Sequence, residues 1–284
     1  MKSLPLDDHA ARVRARVVAM SHRAKTAHLG SSLSCVDILV AAYFGGLDLD
    51  PARVGEEGRD RFILSKGHAA MTLYATLVER GFFPASELNQ YNIDGGRLAE
   101  HPAPACAPGV EAATGSLGHG LAMGLGMALA SRIRGVPFRV GVVVSDGECN
   151  EGSVWESAML APAKGIGNLI VVVDYNRWQA TGRSDEIMAL EPLADKWRAF
   201  GWRTSEVDGH DAEAVRAKFQ SVREDGDIPT AVIAHTTKGK GVSFMEDDNN
   251  WHYRVPTQDE VRAAHAELGV TEMPETGELV RTHA

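Results

Sequence analysis

Cysteine is scarce in this sequence, and its scarcity excludes two kinds of stabilising site. The chain has three cysteines among 284 residues, and they are Cys35, Cys106 and Cys149. Three thiols that lie far apart in the sequence are too few for a disulfide framework or a structural zinc site. We therefore expect them to be packing residues, and a chain without disulfides fits the reducing cytoplasm.

Positive charge and long hydrophobic runs are also lacking. The formal net charge is −9 at pH 7, which argues against a large basic surface for nucleic acid or anionic lipid. The longest weakly polar stretch, residues 117–130, is interrupted by His119 and is shorter than the roughly 20 residues that span a bilayer. Residues 1–10 have no apolar core, so we expect no signal peptide. Neither a nucleic-acid partner nor a membrane partner is expected.

Short apolar runs alternate with helical patterns along the rest of the chain. The runs at 61–64, 140–144, 169–173 and 230–234 predict buried strands, and helices are predicted near 8–22, 35–44, 69–80, 118–134, 152–164, 191–200, 211–224 and 258–267. This alternation indicates an α/β fold with a mainly parallel sheet and helices on both faces. We expect a single domain over residues 1–284, an irregular loop at 95–109, and a peripheral tail from about residue 269.

Polar residues follow two of the predicted strands at the point where each strand ends. Asp146 and Gly147 come directly after strand 140–144, and Asn176 comes after strand 169–173. Parallel strands place their carboxyl ends at one edge of a sheet, where α/β proteins bind ligands, and the helix that begins near Glu151 favours an anion there. Carboxylate, amide and carbonyl oxygens suit Mg²⁺ bound to a diphosphate. Taken alone, this segment could equally be an ordinary acidic loop.

The segment SDGECNEGSVWESA (145–158), followed by Asn176, resembles the signature of thiamine diphosphate enzymes and specifically of the transketolases. The resemblance implies a three-layer αβα fold that binds thiamine diphosphate with Mg²⁺, or with Ca²⁺ or Mn²⁺ in its place. Asp146, Asn176 and the carbonyl of Trp178 are then the expected metal ligands, and Gly147 and Asn176 contact the diphosphate. Ser145 stands where the signature has its first glycine, and we count it among the cofactor contacts.

Four histidines occur in segments that resemble transketolase: KTAHLGSSLS (25–34), SKGHA (65–69), LAEHP (98–102) and WHY (251–253). The resemblance implies that His68 and His252 contact the diphosphate. It also implies that His28 and His252 reach the donor hydroxyl, and that His101 meets the substrate near the thiazolium. A pKa near 6.5 suits histidine to the proton transfers of carbon–carbon bond cleavage.

Three further segments extend the resemblance. In TGSLGHGLAMGLGMAL (114–129), Gly115 and Leu117 are expected to contact the cofactor, and the helix is expected to pack at a subunit interface. The glycine spacing there does not fit a nicotinamide site. Glu151 matches an acidic residue that couples two active sites, although it could equally be a helix-capping acid. In HTTKGKGVSFMEDDNNWH (235–252) we interpret Lys238 and Lys240 as solvated.

The resemblance covers about residues 8–256 and corresponds to the N-terminal half of a transketolase. It implies a separate pyrimidine-binding subunit and an α2β2 heterotetramer. The implied reaction is transfer of a two-carbon ketol unit from a ketose to an aldose, with sugar phosphates as the expected substrates. Tyr253 and Arg254 depart from the usual WHG pattern and are expected to reshape the substrate end of the pocket.

Three alternatives to a catalytic transketolase subunit stay open. The chain could be the α chain of a 2-oxoacid dehydrogenase, a deoxyxylulose phosphate synthase, or a non-catalytic cofactor-binding homologue. The words SKGHA and WHY favour transketolase over the first two.

Overall fold

The computed structural model of the protein describes residues 4–272 and 279–281, and a parallel sheet lies at its centre. Within those residues the sheet has five strands in the order β1-β2-β3-β5-β4, and every neighbouring pair is parallel. The strands are β1 (Arg61–Leu64), β2 (Val140–Ser145), β3 (Leu169–Tyr175), β4 (Arg203–Asp208) and β5 (Thr230–His235). All four predicted strands are confirmed, and so is the parallel sheet.

Strand β4 was not predicted, and its composition explains why. Its sequence, RTSEVD, has no apolar run, and its residues alternate between half-buried and exposed. The strand lies at the edge of the sheet and pairs only with β5 among the described strands. An edge strand is covered less completely than a central one, so it does not need the continuous apolar sequence by which the other four are recognised.

Helices cover both faces of the sheet and form three layers. The helices are α1 (Leu6–Ala24), α2 (Leu29–Ser34), α3 (Val36–Ala41), α4 (Ala70–Arg80), α5 (His119–Arg134), α6 (Gly152–Ala163), α7 (Ser184–Ile187), α8 (Leu193–Ala199), α9 (Ala212–Gln220) and α10 (Gln258–Glu267). Alternate residues of one strand enter opposite cores: Ile170 and Val172 pack with α1, α3, α4 and α9, whereas Val171 and Val173 pack with α5, α6 and α8. This is the predicted three-layer αβα fold.

The predicted helices are present, with one division. The expected helix at 35–44 is instead α2 and α3, followed by a wide turn over Ala42–Gly46. Cys35 separates the two helices with a non-helical backbone, and Gly45 (φ 112°) ends the segment in a conformation that favours glycine. The apolar sequence of this region is uniformly buried, so its periodicity could not locate these breaks.

The C-terminal tail and the 95–109 loop need separate descriptions. Strands β6 (Val270–Glu272) and β7 (Leu279–Arg281) form an antiparallel ribbon, and Val270 and Leu279 are buried against the core. The rest of the predicted tail lies outside the described residues, and the single-domain assignment stays a prediction. Residues 95–109 contain no helix and no extended strand in the described structure, as expected. Among the described helices, none is long and apolar enough to cross a membrane.

Candidate active site

The loops at the carboxyl edge of the sheet carry most of the predicted site residues. Strand β1 leads into SKGHA, β2 into the SDG segment, β3 into Asn176 and β5 into the lysine-containing loop. The register pairs Ser145 with Asp174 and Tyr175 with His235, so that β2, β3 and β5 end at one level. This edge is where ligands of open α/β sheets bind.

Asp146 and Asn176 are buried side chains that present oxygen atoms at this edge. Ser184 Oγ donates to Asp146 Oδ2 at 2.7 Å, and the Gly147 amide donates to Oδ1 at 3.0 Å. The Trp178 amide donates to Asn176 Oδ1 at 3.0 Å. Burial raises the pKa of Asp146 to about 6, because a buried carboxylate lacks the solvation that favours its charged form. A cation would restore that stabilisation.

The donor set suits a hard cation that also binds a cofactor. Within residues 4–272 and 279–281, no group of three His, Cys, Asp or Glu side chains could hold a metal by itself. One carboxylate, one amide oxygen and a backbone carbonyl leave positions for phosphate and water, as Mg²⁺ prefers. Trp178 is held in place by its indole N–H, which donates to Asp247 at 2.7 Å, and by Arg183, which stacks on the ring at 3.8 Å.

The structure brings the four predicted histidines together. The His28 ring lies 5.4 Å from His68, 6.4 Å from His101 and 5.0 Å from His252, measured between ring centroids. His28 has a left-handed backbone (φ 67°), and its amide donates to the His252 carbonyl at 2.8 Å. Residues from four distant segments of the sequence therefore form one cluster, which we call the histidine cluster (His28, His68, His101, His252).

Three of these histidines are held in their neutral form. Burial lowers the pKa of His28, and Glu100 opposes that effect. Burial lowers the pKa of His68 well below its usual value. Burial, followed by the charge of Lys238, lowers the pKa of His252 to about 3. Neutral imidazoles can accept protons, as general bases must.

Glycines allow the backbone of two loops to meet beside the cluster. A Cβ on Gly67 would lie 2.5 Å from the Gly115 nitrogen and 2.5 Å from the Thr114 carbonyl carbon. A Cβ on Gly115 (φ 128°) would lie 2.3 Å from His101 Cδ2. Gly115 therefore lies in the site, as predicted. Leu117 is half-buried in the same segment, and its carbonyl accepts a hydrogen bond from His119 at 3.1 Å.

Lys238 is not solvated, and that interpretation was wrong. The residue has 0% exposure, and its Nζ donates to Asn249 Oδ1 at 2.6 Å and lies 3.3 Å from His252 Nδ1. Among the described residues, no carboxylate lies within 4.0 Å of this ammonium group. Burial lowers the pKa of Lys238 to about 8. Lys240, in contrast, is partly exposed and lies 3.5 Å from Glu246.

Two further buried charged groups were not predicted from sequence. Lys66 Nζ contacts Asp174 Oδ2 at 2.5 Å; burial disfavours the charge of Lys66, but Asp174 overrides it and raises the pKa. Glu148 accepts hydrogen bonds from Ser65 and, at 2.8 Å, from the Gly118 amide, so it links three loops of the site. Each lies one or two positions from a predicted residue, and that proximity was the available signal.

Ser145 and Gly147 lie within the same loop. Ser145 Oγ accepts a hydrogen bond from the Glu148 amide at 3.1 Å, and a Cβ on Gly147 would lie 3.1 Å from Gln179. The Ser145 hydroxyl therefore shapes the turn in which a glycine would be usual, and Gly147 is the point at which the loop comes close to residues 176–180.

Glu151 lies apart from this cluster and is exposed. It occupies the N-cap position of α6, but its side chain makes no capping hydrogen bond to any described residue. The capping explanation is therefore not supported. The Tyr253 ring lies 4.9 Å from His252, and its hydroxyl donates to the Ala180 carbonyl at 3.2 Å. Tyr253 thus forms part of the rim of the histidine cluster, whereas Arg254 stacks on Trp251 and pairs with Glu260.

Known proteins resemble this chain in sequence and structure. Residues 7–277 match the family model described as transketolase, thiamine diphosphate binding domain. The chain is 40% identical over 255 residues to one of the separate subunits of apulose-4-phosphate transketolase from Phocaeicola vulgatus, and the match covers 90% of each protein. It is 39% identical over 241 residues to 6-deoxy-6-sulfo-D-fructose transketolase subunit SqwG of a Clostridium species, covering 85% of this chain and 88% of that protein.

A solved transketolase from Leishmania mexicana superposes on the fold with a TM-score of 0.86 at 25% sequence identity. The match covers 94% of this chain and 42% of that one. The chain therefore spans less than half of the length of that transketolase, whereas it spans most of the length of the two separate subunits.

Proposed function

The chain belongs to the transketolase family and carries its thiamine diphosphate-binding domain, and from this premise we propose that it is the diphosphate-binding subunit of a split transketolase. In this role it transfers a two-carbon ketol unit from a ketose to an aldose together with a pyrimidine-binding subunit. Its match to separate transketolase subunits over most of their length supports the division into two chains.

A buried cation without a carboxylate partner carries the assignment of the cofactor site. Lys66 is neutralised by Asp174, whereas Lys238 is fully buried beside neutral histidines with an amide oxygen as its hydrogen-bond acceptor. Burying an unpaired charge is costly. A diphosphate would supply the missing negative charge, so the residues present fit this part of thiamine diphosphate.

The remaining groups divide between metal and phosphate. Asp146, Asn176 and the Trp178 carbonyl would hold Mg²⁺, for which Ca²⁺ or Mn²⁺ could substitute. His68 and His252 would contact the diphosphate, together with Lys238. Around them, Ser145, Gly147, Gly115 and Leu117 would complete the cofactor contacts. These assignments agree with the burial of Asp146 and with the close approach of Gly67 to Gly115.

When it is bound, the cofactor supplies the carbanion chemistry of ketol transfer. The chain's own contribution is proton transfer and orientation. Neutral His28 and His252 would accept the proton of the donor hydroxyl next to the bond that breaks, and His101 would hold the substrate at the exposed side of the cluster. The low pKa of each buried histidine keeps a lone pair available at neutral pH.

An exposed apolar face supports association with other chains. Helices α5 and α6 pack side by side, and several of their small or apolar residues are exposed: Ala122, Gly126, Ala130, Ile133, Met159 and Leu160. Contiguous exposed apolar surface is typical of protein interfaces. An α2β2 heterotetramer, with Glu151 coupling two sites near this face, is the arrangement that we propose.

Substrate class and compartment complete the proposal. The relatives are named for a ketose phosphate and a sulfonated ketose, and we propose a ketose donor with an anionic end group, a sugar phosphate being the first choice. Each of the cysteines, all of which lie in the described part of the chain, is buried and free. These free thiols support a cytoplasmic location.

A titration of the cofactor tests the assigned site. Asp146→Ala should weaken binding of thiamine diphosphate with Mg²⁺ at least tenfold when the partner is present, because the metal loses its carboxylate ligand. Glu156→Ala, which removes an exposed carboxylate of α6, is the matched control and should bind like the original protein. Unchanged binding by the Asp146 variant would overturn the metal assignment.

A further inference from the structure

Glu100 lies at the edge of the histidine cluster, next to a residue that we assign to proton transfer. Its Oε1 atom is 3.7 Å from His28 Nδ1, and its side chain is 37% exposed. Glu100 immediately precedes His101 in the irregular 95–109 loop, so one short segment brings both residues to His28. Nothing in the proposed function so far uses this carboxylate.

The Nδ1 atom of His28 needs a partner, and Glu100 is placed to provide it. Nδ1 is shut off from solvent, and in the described part of the chain it has no hydrogen bond. Its other neighbours are unable to stabilise a proton there, since the cationic and imidazole groups that face His28 are His68, His101, His252, Lys66 and Lys238. Glu100 supplies a negative charge within 4.0 Å of the ring.

We propose that Glu100 is a positioning residue for His28, whose Nδ1–H donates to the Glu100 carboxylate during the reaction. A movement of about 0.8 Å brings the pair to hydrogen-bond distance, and such contacts commonly tighten when substrate binds. The bond fixes the tautomer with the proton on Nδ1. Nε2 then carries the free lone pair and is the nitrogen that accepts the proton of a donor hydroxyl.

The backbone of His28 makes this positioning effective. Its left-handed conformation and the 2.8 Å bond from its amide to His252 fix the origin of the side chain. Rotation of the ring is the freedom that remains, and a bond at Nδ1 removes it. A carboxylate that orients an imidazole base and stabilises its protonated form is a recurring arrangement in enzymes. The inference rests on the proposed function for its catalytic meaning, but the pairing itself can be tested separately.

Nuclear magnetic resonance of the full chain labelled with ¹⁵N-histidine tests the pairing directly. The His28 signals are assigned by their loss in His28→Asn. We expect the Nδ1–H tautomer in the original protein, and in Glu100→Gln a His28 pKa that is lower by about 1. Asp94→Asn removes an exposed carboxylate of a neighbouring segment and should leave His28 unchanged. A His28 tautomer and pKa that stay as in the original protein in both Glu100→Gln and Glu100→Ala would overturn the proposal.

Kinetics with the partner subunit test the catalytic meaning. Glu100→Gln keeps an acceptor for Nδ1–H but loses the charge, so the acidic limb of the kcat profile should shift to lower pH by about 1 with a modest loss of kcat. Glu100→Ala loses both and should lower kcat about tenfold, with little change in cofactor affinity. Unchanged profiles would overturn the role in catalysis. Absence of transfer by the original protein would count against the proposed function, while the resonance result would still decide the pairing.

Discussion

Replacing Lys238 with methionine should stabilise the cofactor-free chain and weaken its binding of thiamine diphosphate. The two effects have opposite signs because one buried charge causes both. Lys238 is completely buried, and its ammonium group has an amide oxygen and a neutral histidine as neighbours. Methionine is close to lysine in length and can occupy the same space without the charge.

The size of the stabilisation follows from the pKa of Lys238. Burial lowers it from 10.5 to about 8, and a difference of one pKa unit corresponds to about 1.4 kcal/mol. The charged lysine therefore costs the folded state about 3 kcal/mol at neutral pH. Loss of the hydrogen bond to Asn249 offsets about 1 kcal/mol of the gain and a little more if the amide oxygen stays unpaired. We expect a net rise in the free energy of unfolding of about 1–2 kcal/mol.

The pH dependence identifies the cause. Between about pH 8 and pH 10.5 the unfolded chain holds the Lys238 proton more tightly than the folded chain, so the stability of the original protein rises with pH there. The advantage of Lys238→Met should be complete below pH 8 and should fade as the pH approaches 10.5. Urea unfolding of both proteins at about pH 7 and about pH 10, without cofactor, measures this difference.

Cofactor binding should change in the other direction. A charge-assisted hydrogen bond to phosphate contributes about 1.5–3 kcal/mol, so the dissociation constant of thiamine diphosphate should rise about 10- to 100-fold in the variant. Lys240→Met removes a partly exposed lysine two positions along and should change neither property by much. A Lys238 variant that is less stable without cofactor, or that binds cofactor as tightly as before, would refute this reasoning.

Two other predictions follow from the packing and charge of the site. Gly67→Ala should lower the free energy of unfolding by about 1–3 kcal/mol in urea titrations, because its Cβ would meet the backbone of Gly115; Gly55→Ala, where no described atom lies within 4 Å of the Cβ, should be nearly neutral, and equal effects would contradict the packing argument. The folded chain should lose stability as the pH falls below about 6.5, because the unfolded chain protonates histidines that the fold keeps neutral. The contribution of His252, whose folded pKa is about 3, should reach about 2 kcal/mol near pH 5, and His252→Asn should flatten that slope in the same titrations.

The sequence predicted best where one pattern had one structural meaning. The central strands are continuous apolar runs because helices cover both of their sides, and Asp146 and Asn176 could be assigned to one edge because β2 and β3 are parallel. The edge strand β4 lacked such a run and was missed. The break at Cys35 was missed for the opposite reason, since every residue around it is buried and no periodicity remained to mark it.

The site was predicted from words rather than from contacts, and its errors reflect that. The four histidines were recognised through their local sequences, and the fold brought them together. Lys238 was interpreted as solvated because lysine is rarely buried without a partner, and nothing in the sequence showed that its loop is covered. Glu148 and Glu100 act through residues distant in sequence, so their roles became visible only when the loops were placed side by side.

An assay of ketol transfer tests the split enzyme most directly. The chain, a candidate pyrimidine-binding subunit encoded by a neighbouring gene, and an equimolar mixture of the two are each supplied with thiamine diphosphate, Mg²⁺, a ketose phosphate donor and an aldose acceptor. The account predicts transfer in the mixture and none with either chain by itself. Transfer by this chain alone, or an inactive mixture in which the two chains associate and bind the cofactor, would contradict it.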